Sequence, residues 1–341
     1  MNLKELSQNL GLSPTTVSRA LNGYPEVSEA TRERVLAAAR QHNYRPNTRA
    51  KGLATGQAMS IGHVIPISRQ DAMVNPVFGD FIAGAAETYA RFGYEMILST
   101  VADGDEADVY RSLKARGAVD GIVVHEVRRE DSRLELLGEI ALPFVVHGRS
   151  SEYHGDYSWV DVNNRSAFRR ATRFLLDLGH RRIGLVNGDE EMDFAWRRRR
   201  GYEAALMEAG IAVDPALCSS AQMTDAHGYR SARAMLGLPR PPTAFLSSSL
   251  ISALGIHQAV QEAGMTMGRD ISIVTHDDAL SYLQNGGDVP IYTATRSSVR
   301  QAGRQAASLL IERIANPDAP HRQELLEASL VVGRSTGPAP A

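Results

Sequence analysis

From Ser60 onward, short apolar runs alternate with longer amphipathic stretches, and this alternation constrains the fold more than any other feature. The amphipathic stretches have helical spacing and cover about residues 78–92, 105–116, 163–179, 198–210 and 298–315. The apolar runs have the length of buried strands: SIGHVIPI, YEMILST, DGIVVH, PFVVH, RIGLVN, TAFLSS, DISIVT and IYTAT. Such alternation predicts an α/β fold with parallel sheets covered by helices. Because eight or more strands exceed one sheet of ordinary size, we expect two parallel-sheet subdomains with a cleft between them.

The composition excludes several classes of protein. Of the 341 residues, 43% are hydrophobic and 22% are charged, which is typical of a globular chain rather than a disordered one. No apolar run reaches the roughly 18 residues of a membrane span. The segment MNLKELSQNL lacks the pattern of a secretory signal, and Cys218 is the only cysteine. We therefore expect a cytoplasmic protein without disulfides.

Residues 1–45 contain three short helical patterns. Gly11 ends the first pattern, Ser13 followed by Pro14 begins the second, and Ser28 begins the third. The residues expected to face inward are Leu3, Leu6, Leu10, Val17, Ala20, Leu21, Val35, Leu36 and Ala39. Two short helices joined by a tight turn, with a third packed across them, predict a helix-turn-helix. A small three-helix bundle without a DNA role is the alternative.

The charge is distributed unevenly along the chain. Residues 1–56 carry two lysines and six arginines against four glutamates, a net charge of +4, within a chain whose total is −2. The remaining 285 residues therefore carry −6. A basic head on an acidic body indicates a nucleic-acid-binding head, although a solvated basic face would give the same count.

Motifs for catalysis are incomplete. His125-Glu126 begins like a zinc-protease motif, but position 129 is Arg, so the second histidine ligand is missing. The nucleophile-elbow, phosphate-loop and dinucleotide-binding glycine patterns do not occur. His276-Asp277-Asp278 follows a strand and would suit either acid–base chemistry or the binding of a hydroxylated ligand. We expect no enzyme activity, no metal and no cofactor.

Several motifs, in order along residues 1–336, resemble the LacI/GalR family of bacterial transcriptional repressors. In the head they are GLSPTTVSRALNG, VSEATRERVLAAA and YRPNTRAKGL. In the body they are VNPVFGDFIAG, GHRRIGLVNG, an arginine-rich segment before Gly201, SALG, THDD and LVVGRST. The resemblance implies a helix-turn-helix reader, a hinge helix and a core similar to periplasmic sugar-binding proteins. It further implies a cytoplasmic homodimer that associates with the nucleoid when it binds pseudo-palindromic operator DNA, and a small sugar-like effector.

The resemblance also implies the domain boundaries. The helix-turn-helix domain is expected over residues 1–45, the hinge helix or linker over 46–58, the effector-binding core over 59–336 and a short tail over 337–341. Within the core, the first subdomain is expected over about 59–161 and 291–322. The second subdomain is expected over about 162–290 and 323–336.

DNA-contacting residues are implied by position. Bases would be read by Pro14, Thr15 and Arg19, and the arginine can form two hydrogen bonds to guanine. Phosphates would be held by Asn2, Thr16, Ser18 and Asn22, although Ser18 could simply be a helix hydroxyl. In the hinge, the implied residues are Asn47, Lys51 and Leu53. Leu53 matches the apolar wedge that enters the minor groove, unless it packs on the head instead.

Effector-contacting residues are implied in the same way: Phe78, His125, Arg198, Ser249, Asp277 and Tyr292. Arg198 would donate hydrogen bonds to sugar hydroxyls, and Asp277 would accept hydrogen bonds from them. Ser249-Leu250 replaces the Asn-Asp that many members have before the ALG segment, so the effector of those members cannot be transferred. SSSLISALG, THDD and TATRSS are more similar to members that govern the uptake of α-glucosides or related sugars.

Two other classes remain as alternatives at this stage. A periplasmic-type sugar carrier would share the core, but the N-terminal head and the lack of a signal-peptide pattern argue against this class. A sugar-processing enzyme would need a nucleophile or metal constellation, which the motifs do not supply.

Overall fold

The computed structural model describes residues 1–21, 23–44, 57–66, 75–102 and 106–340. These residues form two compact units, one with the N-terminal helices and one with two β-sheets. None of the helices found among them is long and apolar enough to cross a membrane.

The N-terminal unit contains α1 (Leu3–Leu10), α2 (Pro14–Leu21) and α3 (Glu29–Gln41). Asn2 and Glu5 cap α1 reciprocally, since each side chain accepts a hydrogen bond from the other residue's backbone N–H, at 2.9 and 3.0 Å. Ser13 caps α2 by accepting from the N–H of Thr16 at 3.0 Å. The start and stop residues expected from the sequence therefore operate as helix caps.

A small apolar core holds the three helices together and consists of Leu6, Val17, Ala20, Val27, Val35 and Ala39. Leu36 was expected to face inward, and this expectation is wrong because 38% of it is exposed. Val35 and Ala39, four positions apart, occupy the buried face of α3. Leu36 lies about 100° further round the helix.

The second unit contains two six-stranded sheets. The first sheet is entirely parallel and has the order β2-β1-β3-β4-β5-β11. Its strands are β1 (Ser60–Pro66), β2 (Glu95–Val101), β3 (Gly121–Val124), β4 (Phe144–His147), β5 (Ser158–Val162) and β11 (Gln323–Leu326).

The second sheet has the order β7-β6-β8-β9-β10-β12 and is parallel except for its last strand, which is antiparallel to its neighbour. Its strands are β6 (Ile183–Asn187), β7 (Cys218–Ser220), β8 (Ala244–Ser247), β9 (Ser272–Asp277), β10 (Thr293–Arg296) and β12 (Ser329–Val331). The predicted α/β core of two parallel-sheet subdomains is confirmed.

Eight helices cover the two sheets: α4 (Pro76–Phe92), α5 (Glu106–Ala115), α6 (Ser132–Glu139), α7 (Asn164–Asp177), α8 (Asp193–Glu208), α9 (Asp225–Leu236), α10 (Leu250–Glu262) and α11 (Val299–Ala315), all within the described residues. In the first subdomain α4 packs against α11 so closely that a side chain at Gly84 would collide with the carbonyl of Arg300. This backbone-to-backbone contact supports the helix from which aromatic residues reach the cleft.

The chain passes between the subdomains three times, and two of the expected boundaries are wrong. Residues 291–322 were expected in the first subdomain; α11 does pack against α4 there, but β10 pairs with β9 in the second sheet, with Thr293 opposite Val274. Residues 323–336 were expected in the second subdomain; β12 does pair in the second sheet, but β11 pairs with β5 in the first sheet. The chain therefore crosses after β5, after β10 and after β11.

Candidate functional site

A cavity lies between the two subdomains of the core, at the carboxyl ends of the parallel strands. It has an empty volume of about 1200 Å³, part of which is open to solvent. The ends of β1, β3, β4 and β5 line it from the first subdomain, and the end of β9 with one face of α8 lines it from the second. Ligands of α/β proteins bind at this end of a sheet.

One wall of the cavity is aromatic. Phe78 and Phe81 lie on α4, which begins at Pro76 after an Asn75 cap on the N–H of Val77 at 3.0 Å. The rings of both phenylalanines meet the ring of His125 nearly at right angles, with centroids 5.2 and 4.9 Å away. Such a wall offers apolar surface to the carbon face of a bound molecule.

Arg198 forms the polar floor. It lies on the buried face of α8 with Ala195, Tyr202 and Ala205, and only 5% of it is exposed. Its Nε donates to the side-chain oxygen of Asn164 at 2.8 Å, and one terminal nitrogen donates to the carbonyl of Ser248 at 2.5 Å.

The guanidinium of Arg198 is also held between two rings, those of Phe168 and Phe194, at 5.1 and 4.9 Å from their centroids. Burial lowers the pKa of Arg198 to about 10, although Asp278 and Asp161 act in the opposite direction. The side chain therefore stays charged at neutral pH in a fixed orientation.

Acidic groups face this arginine. Burial alone would raise the pKa of Asp278, but His276, 3.4 Å away, and Arg198 and His147 outweigh it and lower the pKa. Burial raises the pKa of Asp161 to about 6, despite the guanidinium of Arg149 at 2.9 Å. A carboxylate next to a forked guanidinium can accept hydrogen bonds from the hydroxyls of a ligand, while the guanidinium donates hydrogen bonds to the same ligand.

Half of the six expected effector residues line the cavity, namely Phe78, His125 and Arg198. Ser249 does not, because its hydroxyl caps α10 by accepting from the N–H of Ser252 at 3.1 Å. Tyr292 is 2% exposed and its hydroxyl lies 3.1 Å from the ring of His257, within a separate apolar core. The structure therefore places neither side chain at the cavity.

Asp277 is also absent from the cavity lining. It accepts from the N–H of Ala279 at 2.8 Å and lies 3.6 Å from Arg296 in a second pocket. Its neighbours His276 and Asp278 line the cavity instead. Alternate residues of an extended chain point to the same side, so His276 and Asp278 share a side that Asp277 does not. This alternation can be read from the sequence.

Further polar residues line the cavity that were not expected from the sequence: His147, Arg149, Asp161 and Asn164. Each lies within two residues of the carboxyl end of β4 or β5. A polar residue at the carboxyl end of an apolar run was therefore the available signal.

Two groups of hydrogen bonds join the subdomains. The N–H of Ser151 donates to Asp193 at 2.9 Å, and the N–H of Asp193 donates to the carbonyl of Val127 at 3.0 Å. The N–H and hydroxyl of Ser281 donate to Asp80 at 2.7 and 2.6 Å. The subdomains are thus in direct contact beside the cavity.

The head exposes the N-terminal part of α2. Pro14, Thr15 and Arg19 are exposed, whereas Thr16 and Ser18 are half-buried. The hydroxyl of Thr16 is 2.8 Å from that of Ser13, and Asn2 is exposed as the cap of α1. The expected contacts Asn22, Asn47, Lys51 and Leu53 lie outside the described residues.

In the described part of the chain, no group of three or more His, Cys, Asp or Glu residues could hold a metal ion. Aromatic, guanidinium, carboxylate and imidazole groups line the cavity.

Comparisons with known proteins match both parts of the chain. Residues 2–47 match the model of bacterial regulatory proteins of the lacI family, and residues 172–336 match the periplasmic binding protein-like domain. The chain is 48% identical to the HTH-type transcriptional regulator AglR of Rhizobium meliloti (strain 1021), over 100% of this chain and 95% of that protein.

Two further matches extend over nearly the whole chain. The HTH-type transcriptional regulator RafR of Escherichia coli is 33% identical over 93% of this chain and 94% of its own. The solved transcriptional regulator CelR–cellobiose complex superposes with a TM-score of 0.73, at 27% identity, over 98% of this chain and 99% of that one.

The fold and these matches define a transcriptional regulator with a helix-turn-helix head and a periplasmic-binding-protein-like core. The chain belongs to the LacI family of bacterial regulatory proteins. Members of this family are DNA-binding regulators rather than enzymes, so neither the carrier nor the enzyme alternative describes this protein.

Proposed function

We propose that this regulator represses an operon for the uptake or utilisation of a sugar and leaves its operator when a small sugar binds in the cavity. The observation that carries the effector assignment is the arrangement around Arg198. A guanidinium fixed by Asn164 and Ser248 faces Asp278 and His276, opposite an aromatic wall. Sugars present hydroxyls to polar groups and carbon faces to rings, and this cavity offers both.

The charges of the cavity favour an uncharged sugar. Arg149 is paired with Asp161 at 2.9 Å, and Arg198 experiences the charges of Asp278 and Asp161. The charge of each arginine is therefore balanced by carboxylates, and these carboxylates would repel a phosphate group bound beside the arginines. The relative CelR, solved with cellobiose, supports the same class of ligand.

The DNA-binding half of the proposal rests on the exposed start of α2. In a helix-turn-helix the second helix enters the major groove, and its first residues reach the bases. One head reads one half-site, so we propose a homodimer on a pseudo-palindromic operator. The regulator would act in the cytoplasm and associate with the nucleoid while bound.

The test has two stages. First, thermal unfolding of the full chain is measured with methyl α-glucoside, cellobiose, raffinose and, as a charged comparator, glucose 6-phosphate. A ligand at a hundred times its dissociation constant adds about 2.7 kcal/mol of stability, which shifts the midpoint measurably. Second, an operator is selected from random double-stranded DNA, and the stabilising sugar is added to the complex.

The proposal expects a palindromic selected sequence, stabilisation by at least one uncharged sugar, and release of the DNA by that sugar. Stabilisation by the phosphate ester alone would contradict the assigned effector class. A sugar that tightens the complex would make the protein a co-repressed regulator instead.

A further inference from the structure

Behind the aromatic wall of the cavity lies a buried chain of three polar side chains. The hydroxyl of Tyr89 on α4 is 3.1 Å from Nε2 of His63 on β1. Nδ1 of His63 is 2.8 Å from Nε2 of His125, which lines the cavity. Tyr89 and His63 are 1% and 0% exposed, so neither can exchange these partners for water.

The direction of these hydrogen bonds follows from the hydroxyl proton. Among the described residues, Nε2 of His63 is the only hydrogen-bond partner of the Tyr89 hydroxyl. A buried donor without an acceptor bears its full desolvation cost, so the hydroxyl donates and Nε2 of His63 accepts. The proton of a neutral His63 is then on Nδ1, which donates to Nε2 of His125.

The imidazoles of His63 and His125 are both neutral, as these hydrogen-bond directions require. Burial lowers the pKa of His63 to about 3 and lowers the pKa of His125 well below its usual value. Each ring therefore carries one proton at neutral pH. Because Nε2 of His125 accepts from His63, the proton of His125 is on Nδ1.

The ring of His125 also has a fixed orientation. Phe78 and Phe81 pack against it nearly at right angles. The ring of His63 lies edge to edge with it and nearly in its plane, with an interplanar angle of 23° and centroids 5.1 Å apart. With Nε2 engaged by His63, Nδ1 is the nitrogen left for a molecule in the cavity.

We propose that Tyr89 and His63 are positioning residues, which fix His125 as a hydrogen-bond donor towards the cavity. The identity of the recipient rests on the proposed sugar effector. That effector meets His125 with an oxygen lone pair, from a ring oxygen, a glycosidic oxygen or an accepting hydroxyl. A protonated amino group at the same place cannot accept, so an amino sugar carrying its nitrogen there is rejected.

The test reads the tautomers directly. The full-length protein is labelled with ¹⁵N-histidine, and long-range proton–nitrogen correlations distinguish the protonated ring nitrogen from the bare one. The chain has 10 histidines, and single His63→Gln and His125→Asn variants assign the two spectra. The expected result is protonation at Nδ1 in both residues. Protonation of either residue at Nε2 overturns the inference.

A pair of variants tests the role of the hydroxyl. In Tyr89→Phe, Nε2 of His63 has no partner in either direction of the hydrogen bonds. The two directions therefore become closer in energy, and the His125 signals move towards the Nε2-protonated form. The matched control is Tyr202→Phe, which removes an equally buried hydroxyl that donates to the Ile183 carbonyl at 2.8 Å in the second subdomain. We expect the control to leave His125 unchanged.

An unchanged His125 spectrum in Tyr89→Phe would show that Tyr89 does not set the direction. The spectra require no sugar, so this outcome is separate from that of the proposed function. If no sugar stabilises the protein, the effector assignment fails while the tautomer result stands on its own.

Discussion

Ser281 donates both its backbone N–H and its hydroxyl to the carboxylate of Asp80, and the two residues belong to different subdomains. Asp80 lies on α4 of the first subdomain and is 7% exposed, whereas Ser281 lies between β9 and β10 of the second. The carboxylate thus stabilises the arrangement in which the two subdomains enclose the cavity.

We expect Asp80→Ala to weaken effector binding by up to about thirtyfold, because two hydrogen bonds of about 1 kcal/mol each are lost. Calorimetric titration with the stabilising sugar measures this change. The control is Asp108→Ala, which removes an exposed carboxylate paired with Arg111 in the same subdomain. Equal sugar affinity in wild type and Asp80→Ala would show that the contact has no influence on closure.

Arg198→Ala should lower sugar affinity about ten- to a hundredfold, since hydrogen bonds to charged groups are worth about 1.5–3 kcal/mol. Operator binding should persist below the unfolding transition, and the sugar should no longer release the DNA. The thermal midpoint should also fall, because Asn164 and Ser248 lose their donor. Arg200→Ala, on the exposed side of the same helix, removes a pair with Glu203 and should retain the response to sugar.

Two isosteric variants at adjacent positions separate the structural assignment from the one made by resemblance. Asp278→Asn should reduce sugar affinity about tenfold or more, because this carboxylate lines the cavity. Asp277→Asn should change affinity little, because Asp277 is used by the Ala279 N–H and Arg296. Titrations that reverse this order would restore Asp277 as the ligand.

Operator reading depends on Arg19. We expect Arg19→Ala to lose about 1–3 kcal/mol of discrimination at one base pair of each half-site while keeping non-specific binding. Arg40→Ala removes the same charge from the end of α3 and should leave the base preference intact. Competition between operator and scrambled DNA at fixed salt measures both variants, and an unaltered preference in Arg19→Ala would place the reading residue elsewhere.

Stability should fall in mild acid because of buried histidines. Burial lowers the pKa of His147 to about 4, whereas an unfolded chain binds this proton below about pH 6.5. Between these values the unfolded state holds more protons, so the free energy of unfolding falls as pH falls and is fully regained above pH 6.5. The contribution is up to about 1.4 kcal/mol per pH unit.

Thermal midpoints between pH 7 and pH 5 measure this dependence. His147→Asn should flatten the slope, whereas His154→Asn, at an exposed position, should not. Identical slopes in the two variants would assign the acid sensitivity to other groups.

Much of the core could be predicted because each strand buried on both faces is a continuous apolar run. All eight predicted runs, from SIGHVIPI to IYTAT, contain strands of the two sheets. Three of the four missed strands have no such run. β7 and β12 have three residues each, and β11 (Gln323–Leu326) alternates exposed and half-buried positions at a sheet edge. Edge pairing is decided by tertiary contact, which a short polar segment does not reveal.

The site was predicted less completely than the fold. Arg198 was found because the family motif places it, and its spacing with Tyr202 puts it on the buried face of α8. Asp277 was chosen over Asp278 because the family resemblance identifies a position in the sequence. The direction in which the side chain at that position points depends on the alternation of side chains along β9. Ser249 and Tyr292 were expected at the cavity but contact other groups, since a sequence position near the cleft does not determine which neighbours a side chain contacts.

The three passages of the chain between the subdomains have a consequence for taking the protein apart. A cut after Val162 would separate β5 from its partner β11, and one before Val299 would leave the second sheet without β12. No single truncation yields a complete half, so recombination or engineering that exchanges the sensor must transfer residues 60–340 as one piece. The head, by contrast, is contiguous, and new operator specificity can be grafted by replacing one end of the gene.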